Sequence, residues 1–421
     1  MKKIIIFIIA LLILVAIAPK FIGKIVETEH QTILSELNDQ VITVKKTHFT
    51  RHWFSGSAST DIIVHLNNPQ VDDFSITINE ELFFGPVIWA DDGLHFGLSY
   101  SELTFVLEND EKANNFLKNN LHLSWLLSFN RNIATDIKID EYLTELDYKK
   151  IAIKPAVGQF TMTTDKRIYG DFTWQGAEII TDNKIIINGL SLLVDQQLIR
   201  GSYAKGDAVT TGDFSLSLDE FKVTEMNNDS TVYLKAIGMS ATAKEINNML
   251  QLGLNYHIGL LELEDKAFEQ ANIAIKFDHL DIETIQAISK LAASLDEHSD
   301  QHQIAMDKLM VLGGQLIAKE PVLTIEDISV LTPQGKIVIT ATAQFDQNKF
   351  DQQNMMMTAM KALEVNAQAT APVAFFAEGA KKNFIDMYLQ QGFVKQENEQ
   401  FKTTIVYKDG KLIINDKMVP M

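Results

Sequence analysis

The sequence contains no cysteine. That absence removes thiol nucleophiles, redox-active CxxC pairs, structural disulfides and Cys-ligated zinc together. It leaves the compartment open, because a chain with a large core needs no disulfides even when exported. Positive charge is also short: 37 Lys and Arg stand against 55 Asp and Glu, a formal charge of −18. Nucleic-acid binding needs a basic stripe to neutralise phosphates, so this balance argues against it. No Walker loop, dinucleotide fingerprint or nucleophile elbow occurs in the 421 residues. Nothing in the sequence therefore calls for a cofactor.

What is present describes a folded chain. Hydrophobic residues make up 46% and charged residues 22%, which excludes wholesale disorder. The length allows two or three domains, or one large β-rich body. Lys2 and Lys3 precede an apolar run from Ile4 to Ala18, and Ala16-Ile17-Ala18 imitates a signal-peptidase site. Pro19 fits poorly after such a cut, and the apolar pattern resumes at Phe21 and Ile22. From Ile4 to Ile22 a helix would span roughly 28 Å, close to a bilayer core, with Lys20 snorkelling at its far end. The expectation is an uncleaved signal-anchor, a transmembrane helix over residues 1–23.

Beyond Val41 the dominant period is two. Phe74, Ile76 and Ile78 share one face, as do Leu94, Phe96, Leu98 and Tyr100. The alternation returns at Phe214-Leu216-Leu218, at Ile273-Ile275-Phe277 and from Ile337 to Phe345, and predicts antiparallel sheet. "DNKIIIN" at Asp182, "QGKIVIT" at Gln334 and "DGKLIIN" at Asp409 each read as the return arm of a hairpin. Helical spacing is predicted over 27–37, over 109–129 and over 281–316 behind an Asp cap. A further helix is predicted over 371–391, stopped by Gly392. Residues 345–360 read as a polar connector with a Met-rich turn.

Few residues carry chemistry. His298 and His302 share a helix face, but the glutamate of HExxH is absent and the surrounding acids suggest a solvated surface. His48 and His52, if on a strand, lie about 13 Å apart, too far to share a ligand. Ser202 and Lys205 have SxxK spacing, yet glycines flank them and no KTG or SDN partner follows, so a turn is the plainer reading. No catalytic, cofactor-binding or metal-binding residue is therefore assigned. Trp53-Phe54, Phe83-Phe84 and Phe375-Phe376 are adjacent pairs, which in strands imply burial on both sheet faces or an apolar groove for a lipid or partner helix.

Four segments, taken in order, resemble one family. These are "HFTRHWFSGSAST" (48–60), "LFFGPVIWADDGLHFGLSYSEL" (82–103), "EPVLTIEDISVLTPQGKIVITATAQF" (320–345) and "GFVKQENEQFKTTIVYKDGKLIINDK" (392–417). They are similar to stretches of the bacterial YdgA-like proteins, a domain of unknown function. Two departures stand out: His52 replaces a glycine after Arg51, and Phe84 replaces a histidine before Gly85-Pro86. The resemblance implies a protein anchored in the inner membrane of Gram-negative bacteria, single-pass, with its body in the periplasm.

The fold class expected is α+β, predominantly antiparallel β-sheet with a few helices, plus one N-terminal transmembrane helix. The expected organisation is an anchor (1–23), a β-rich periplasmic region (24–280) and an α+β periplasmic region (281–421). The functional expectation is a non-enzymatic, membrane-tethered envelope protein acting through interaction surfaces. The alternative is a carrier of lipid or another hydrophobic ligand on a curved β-groove, and an envelope hydrolase is the least favoured reading. The partners expected are the membrane through the anchor, a lipid or envelope protein, and a second copy in a homo-oligomer; nucleic acid is not among them.

Overall fold

Period-two patterning dominates from residue 42 onward, and the backbone answers with strands. The computed structural model describes residues 2–36, 42–65, 73–108, 110–146, 149–203, 206–226, 230–263, 266–293, 302–377 and 379–420. Helix α1 (Lys2–Glu36) is followed by β1 (Ile42–Arg51), β2 (Ser55–Val64), β3 (Phe74–Phe84), β4 (Val87–Ala90), β5 (Gly93–Phe96) and β6 (Ser99–Leu107). Then come α2 (Glu111–Asn120), β7 (Leu121–Leu127), β8 (Ile133–Ile139), β9 (Tyr142–Leu146), β10 (Lys149–Ile153), β11 (Ala156–Met162), β12 (Arg167–Ile180) and β13 (Asn183–Arg200). The long strands β14 (Val209–Glu225), β15 (Thr231–Ile246), β16 (Met249–Leu263) and β17 (Lys266–Asp281) lead to helices α3 (Ile282–Ala293) and α4 (His302–Ile317). The chain continues through β18 (Val322–Thr332), β19 (Gly335–Phe345), α5 (Met355–Ala362), β20 (Leu363–Pro372) and α6 (Ala380–Gln391). It closes with β21 (Lys395–Glu397), β22 (Gln400–Lys408), β23 (Lys411–Ile414) and β24 (Lys417–Val419). The protein is mostly antiparallel sheet, as the alternation predicts.

Two compact units are distinguished. The first comprises Met1–Thr144, Ile151–Gly176 and Leu193–Ala208; the second comprises Glu145–Lys150, Ala177–Leu192 and Val209–Met421. Residue 280 lies inside the second unit, at the end of β17.

In the first unit the ladder runs β1–β2–β3–β6–β7–β8–β11–β12, each pair antiparallel. One face meets α1: Ile22 and Val26 pack with Ala58, Leu82 and Phe84. The other face carries Phe83, Tyr100 and Leu126, which pack against Ile88 and Ala90 of the β4–β5 ribbon. Phe83 and Phe84 therefore point to opposite cores, which is why two adjacent phenylalanines are tolerated in one strand.

The structure corrects the expected transmembrane helix over 1–23. Among the described residues no helix is long and apolar enough to cross a membrane. The physical reason is that the far end of the expected span is committed to the protein itself. Ile22 is 9% exposed and Val26 2%, both in the core beneath α1. Lys20 lies 5.1 Å over the Trp53 ring instead of reaching towards headgroups, and Trp53 Nε1 donates to the Ala16 carbonyl at 2.7 Å. The helix then continues through Glu27, Glu29 and His30 to Glu36, far past an apolar end.

Smaller corrections follow the same logic. The helix expected over 109–129 stops at Asn120, and Leu121–Leu127 is strand β7, laddered between β6 and β8. Leu94, Phe96, Leu98 and Tyr100 do not share one strand: β5 ends at Phe96 and β6 begins at Ser99. Residues 371–376 finish β20 and form a short 3₁₀ turn before α6 begins. The Met-rich run is the helix α5 and not a turn. Asp281 does cap α3, accepting from the Thr284 amide at 2.9 Å, and Gly392 ends α6 at φ 74°. The hairpin readings at 334 and 409 hold: Thr332 pairs with Gly335, and Lys408 with Lys411 across Asp409 and Gly410, both at positive φ.

Candidate apolar binding face

In the second unit each antiparallel strand alternates, and the register brings the apolar residues into line. The ladder runs β14–β15–β16–β17–β18–β19–β20–β22. One cross-strand row is Phe214, Ala241, Leu254, Ile275, Ile325, Ala341, Ala367 and Ile405. The next row on the same face is Leu216, Met239, Tyr256, Ile273, Ile328, Ile339, Ala369 and Thr403. Eight strands at about 4.8 Å spacing make this face roughly 34 Å wide. A register shift in β18 places Glu326 and Asp327 between Ile325 and Ile328, so that both isoleucines stay on the apolar side.

A closed sandwich would bury such a face. Here none of these sixteen residues is buried, and Tyr256, Ile273 and Ile339 keep 41%, 39% and 38% of their surface. The opposite face is polar: Asp213, Ser215, Ser217 and Asp219 alternate with the apolar set on β14, and Asn272 donates to Asp327 at 2.9 Å. The sheet is thus amphipathic, with a wide, half-open apolar side.

Helices crown one end of it. Asp278 pairs with Val322, Leu323 with Ala343, and Phe345 with Leu363. The α3–α4 and α5 insertions therefore leave the sheet at the same edge. Their exposed surface is rich in methionine: Met306, Met310, Met357 and Met360 keep 44–75% of their area, and Val311 keeps 55%. Between α4 and the 352–357 segment lies an open cleft of about 590 Å³ lined by Met310, Val311, Gly314, Met355 and Met357 among others. A second cleft of about 600 Å³ separates α3 from α4, lined by Ala287, Leu291, Val311 and Leu312 with Lys290 and Lys308 at hand. Unbranched thioether side chains adapt to irregular apolar shapes, so this end suits a flexible hydrophobic guest.

Among the described residues, those that the sequence brings forward do not assemble into a site. Ser202 lies in the β13–β14 connection, where its amide donates to Asp207 at 2.8 Å between Gly201 and Gly206, both at positive φ. Lys205 and His298 lie outside the described residues, and His302 opens α4. His48 is on β1, bonded to Thr50, and His52 follows that strand. Among the described residues no group of three His, Asp or Glu side chains is placed to hold a metal.

A buried polar cluster in the first unit was not singled out by sequence. His30 Nε2 on α1 meets Glu80 Oε1 at 2.9 Å, and Ser101 Oγ donates to Glu80 Oε2 at 3.3 Å. Nucleophile activation needs the serine on the histidine; here the carboxylate separates them and Ser101 is fully buried. The cluster pins α1 to β3 and β6. A second network on the ribbon side joins Asp92 to His95 and to Tyr100 Oη, each at 2.7 Å, with the imidazole stacked on the phenol ring. Burial pushes the Asp92 carboxyl up, but the bonds from Tyr100 and His95 outweigh it and hold it below its ordinary value. Burial raises the Tyr100 hydroxyl above its ordinary value, and the bond to Asp92 adds to the effect.

Fold and face together define a mostly antiparallel β protein with an open amphipathic sheet. The chain matches over residues 1–421 the model of a bacterial family of unknown function (DUF945), and it belongs to that family. No curated protein and no solved structure matches it.

Proposed function

We propose that the protein binds a hydrophobic or amphiphilic ligand of the bacterial envelope, with the second unit's apolar sheet face as the binding surface. One observation carries the reading: two rows, apolar at every position but Thr403, cross eight strands without any member being buried. Burying apolar area is worth roughly 25 cal/mol per Å², so a face this wide gains substantially from an acyl chain laid across it. The methionine-rich helices at its edge offer an adaptable point of entry. No covalent chemistry is required, and the protein acts as a carrier or sensor and not as an enzyme. The proposed setting is the periplasmic side of a Gram-negative envelope, following Lys2, Lys3 and the apolar run behind them; fractionation of the bacterium tests that setting.

Titration with the fluorescent acyl probe cis-parinaric acid tests the ligand reading. Saturable binding by the parent protein is expected, with loss of at least about tenfold in affinity for Ile273→Asp and Ile339→Asp. Native mass spectra of protein purified without detergent should show bound lipid. Non-saturable binding, or equal affinity in both variants, overturns the proposal.

A further inference from the structure

The β4–β5 ribbon of the first unit presents an apolar surface that the ligand reading does not use. Its register sets Val87 opposite Phe96 and Trp89 opposite Leu94. The inward residues are fixed: Ile88 and Ala90 are buried, and His95 is stacked on Tyr100 and bonded to Asp92. The outward quartet is open, with Trp89 82% exposed, Phe96 59%, Leu94 50% and Val87 46%. An anchored ribbon carrying an open tryptophan has the composition of a binding hot spot.

The surface beside it selects by charge. On the sheet face that carries the ribbon, one cross-strand row reads Glu81, Glu102, Ser124, Asp136, Gln159 and Asp171. It crosses six strands, so its carboxylates are strung over roughly 24 Å. Among the described residues none of the four is held in an ion pair; Asp136 has only the amide of Gln159, at 2.8 Å. Asp91 and Asp92 add two more carboxylates at the ribbon's turn, and Lys138, two residues from Asp136 on the same face of β8, is already paired with Asp140 at 2.8 Å. Burial first, and then Asp92, Asp91 and Glu81, raise the Glu102 carboxyl above its ordinary value, as expected where acids share one field.

We infer that the β4–β5 ribbon and the adjoining carboxylate row form a docking surface for a protein segment bearing apolar side chains on one edge and Lys or Arg on the other. Charge complementarity decides the occupant. Six carboxylates beside the quartet repel an anionic bilayer, and a second copy of this acidic face repels the first.

A synthetic peptide of alternating lysine and leucine is the probe, read by calorimetry on the full-length protein and by the part of its tryptophan emission that Trp89→Phe removes. Saturable binding with a blue shift is expected, weakening with salt and absent for a glutamate–leucine peptide. Trp89→Ser with Phe96→Ser should weaken binding about tenfold or more. Glu81→Gln with Asp171→Asn, both on exposed residues, should weaken it several-fold and flatten the salt dependence. Binding by the ribbon variant within about twofold of the parent overturns the inference, as does salt-independent binding. An equal blue shift with phosphatidylglycerol vesicles would transfer the surface to membranes, and ribbon-dependent dimers in sedimentation would transfer it to a second copy; either result also overturns it.

Discussion

Gly85 shows how one residue sets a local structure. Its amide donates to the Leu98 carbonyl at 2.8 Å, and a methyl group in place of its hydrogen would collide with the Gly97 carbonyl oxygen. The obstacle is backbone and cannot rotate away, so Gly85→Ala should destabilise the first unit by at least about 2 kcal/mol in urea unfolding. Gly313 is the contrast. It sits inside α4 with nothing within 4 Å of a methyl group, so Gly313→Ala should stabilise by roughly 0.5–1 kcal/mol through the lost flexibility of the unfolded chain. Glu102 supplies a pH signature at the same scale. Its carboxyl titrates above its unfolded value, so its favourable contribution is complete in acid and is lost as pH rises through the folded value. Glu102→Gln should therefore raise the melting temperature at neutral pH, and the gain should shrink towards zero in acid. A gain that persists at low pH would point to packing and not to charge.

Helix α1 and the strands beneath it show what the sequence made legible at the level of elements. Val26 is 2% exposed between Leu82 and Phe84, so Val26→Ala should cost about 1–3 kcal/mol and speed exchange of the α1 amides. That burial was hidden in the sequence, because an apolar helix stripe looks the same whether it meets lipid or a sheet. Strand alternation, by contrast, was plain: Phe214, Leu216 and Leu218 do share a face. Residues 121–127 misled because Phe116, Leu117, Leu121 and Trp125 fit a helix as well as a strand. Ladders on both sides, to β6 across α2 and to β8 through the 128–132 hairpin, settle that ambiguity. The candidate face was legible only strand by strand. Its continuity depends on pairing β17 with β18 across two intervening helices, and no local pattern encodes that register. Of the ribbon quartet only Leu94 and Phe96 show in the sequence as alternation, and their outward direction does not. Gly97, packed against the Leu127 carbonyl, separates Phe96 from the strand that carries Tyr100.

At the scale of the whole molecule, the two units should respond differently to a ligand. A guest that binds only the folded second unit stabilises it by RT ln(1 + [L]/Kd), about 2.7 kcal/mol at a hundredfold excess over Kd. In the first unit β2, β3 and the start of β6 are covered by closed cores, around Leu82 and Phe84 on one face and around Ile88 and Tyr100 on the other, so those strands offer the same guest no comparable face. Hydrogen exchange with and without cis-parinaric acid separates the units within one chain. Amides of β15–β19 should slow by a common factor that grows with ligand concentration, because their row residues line the face. Amides of β2, β3 and β6 should keep their rates. Uniform slowing in both units would mean that the ligand stabilises the chain globally or binds elsewhere, and the apolar rows would lose their assignment. Slowing confined to α4 and α5 would shift it from the sheet to the methionine-lined cleft, where Met310 and Met357 would become the residues to alter.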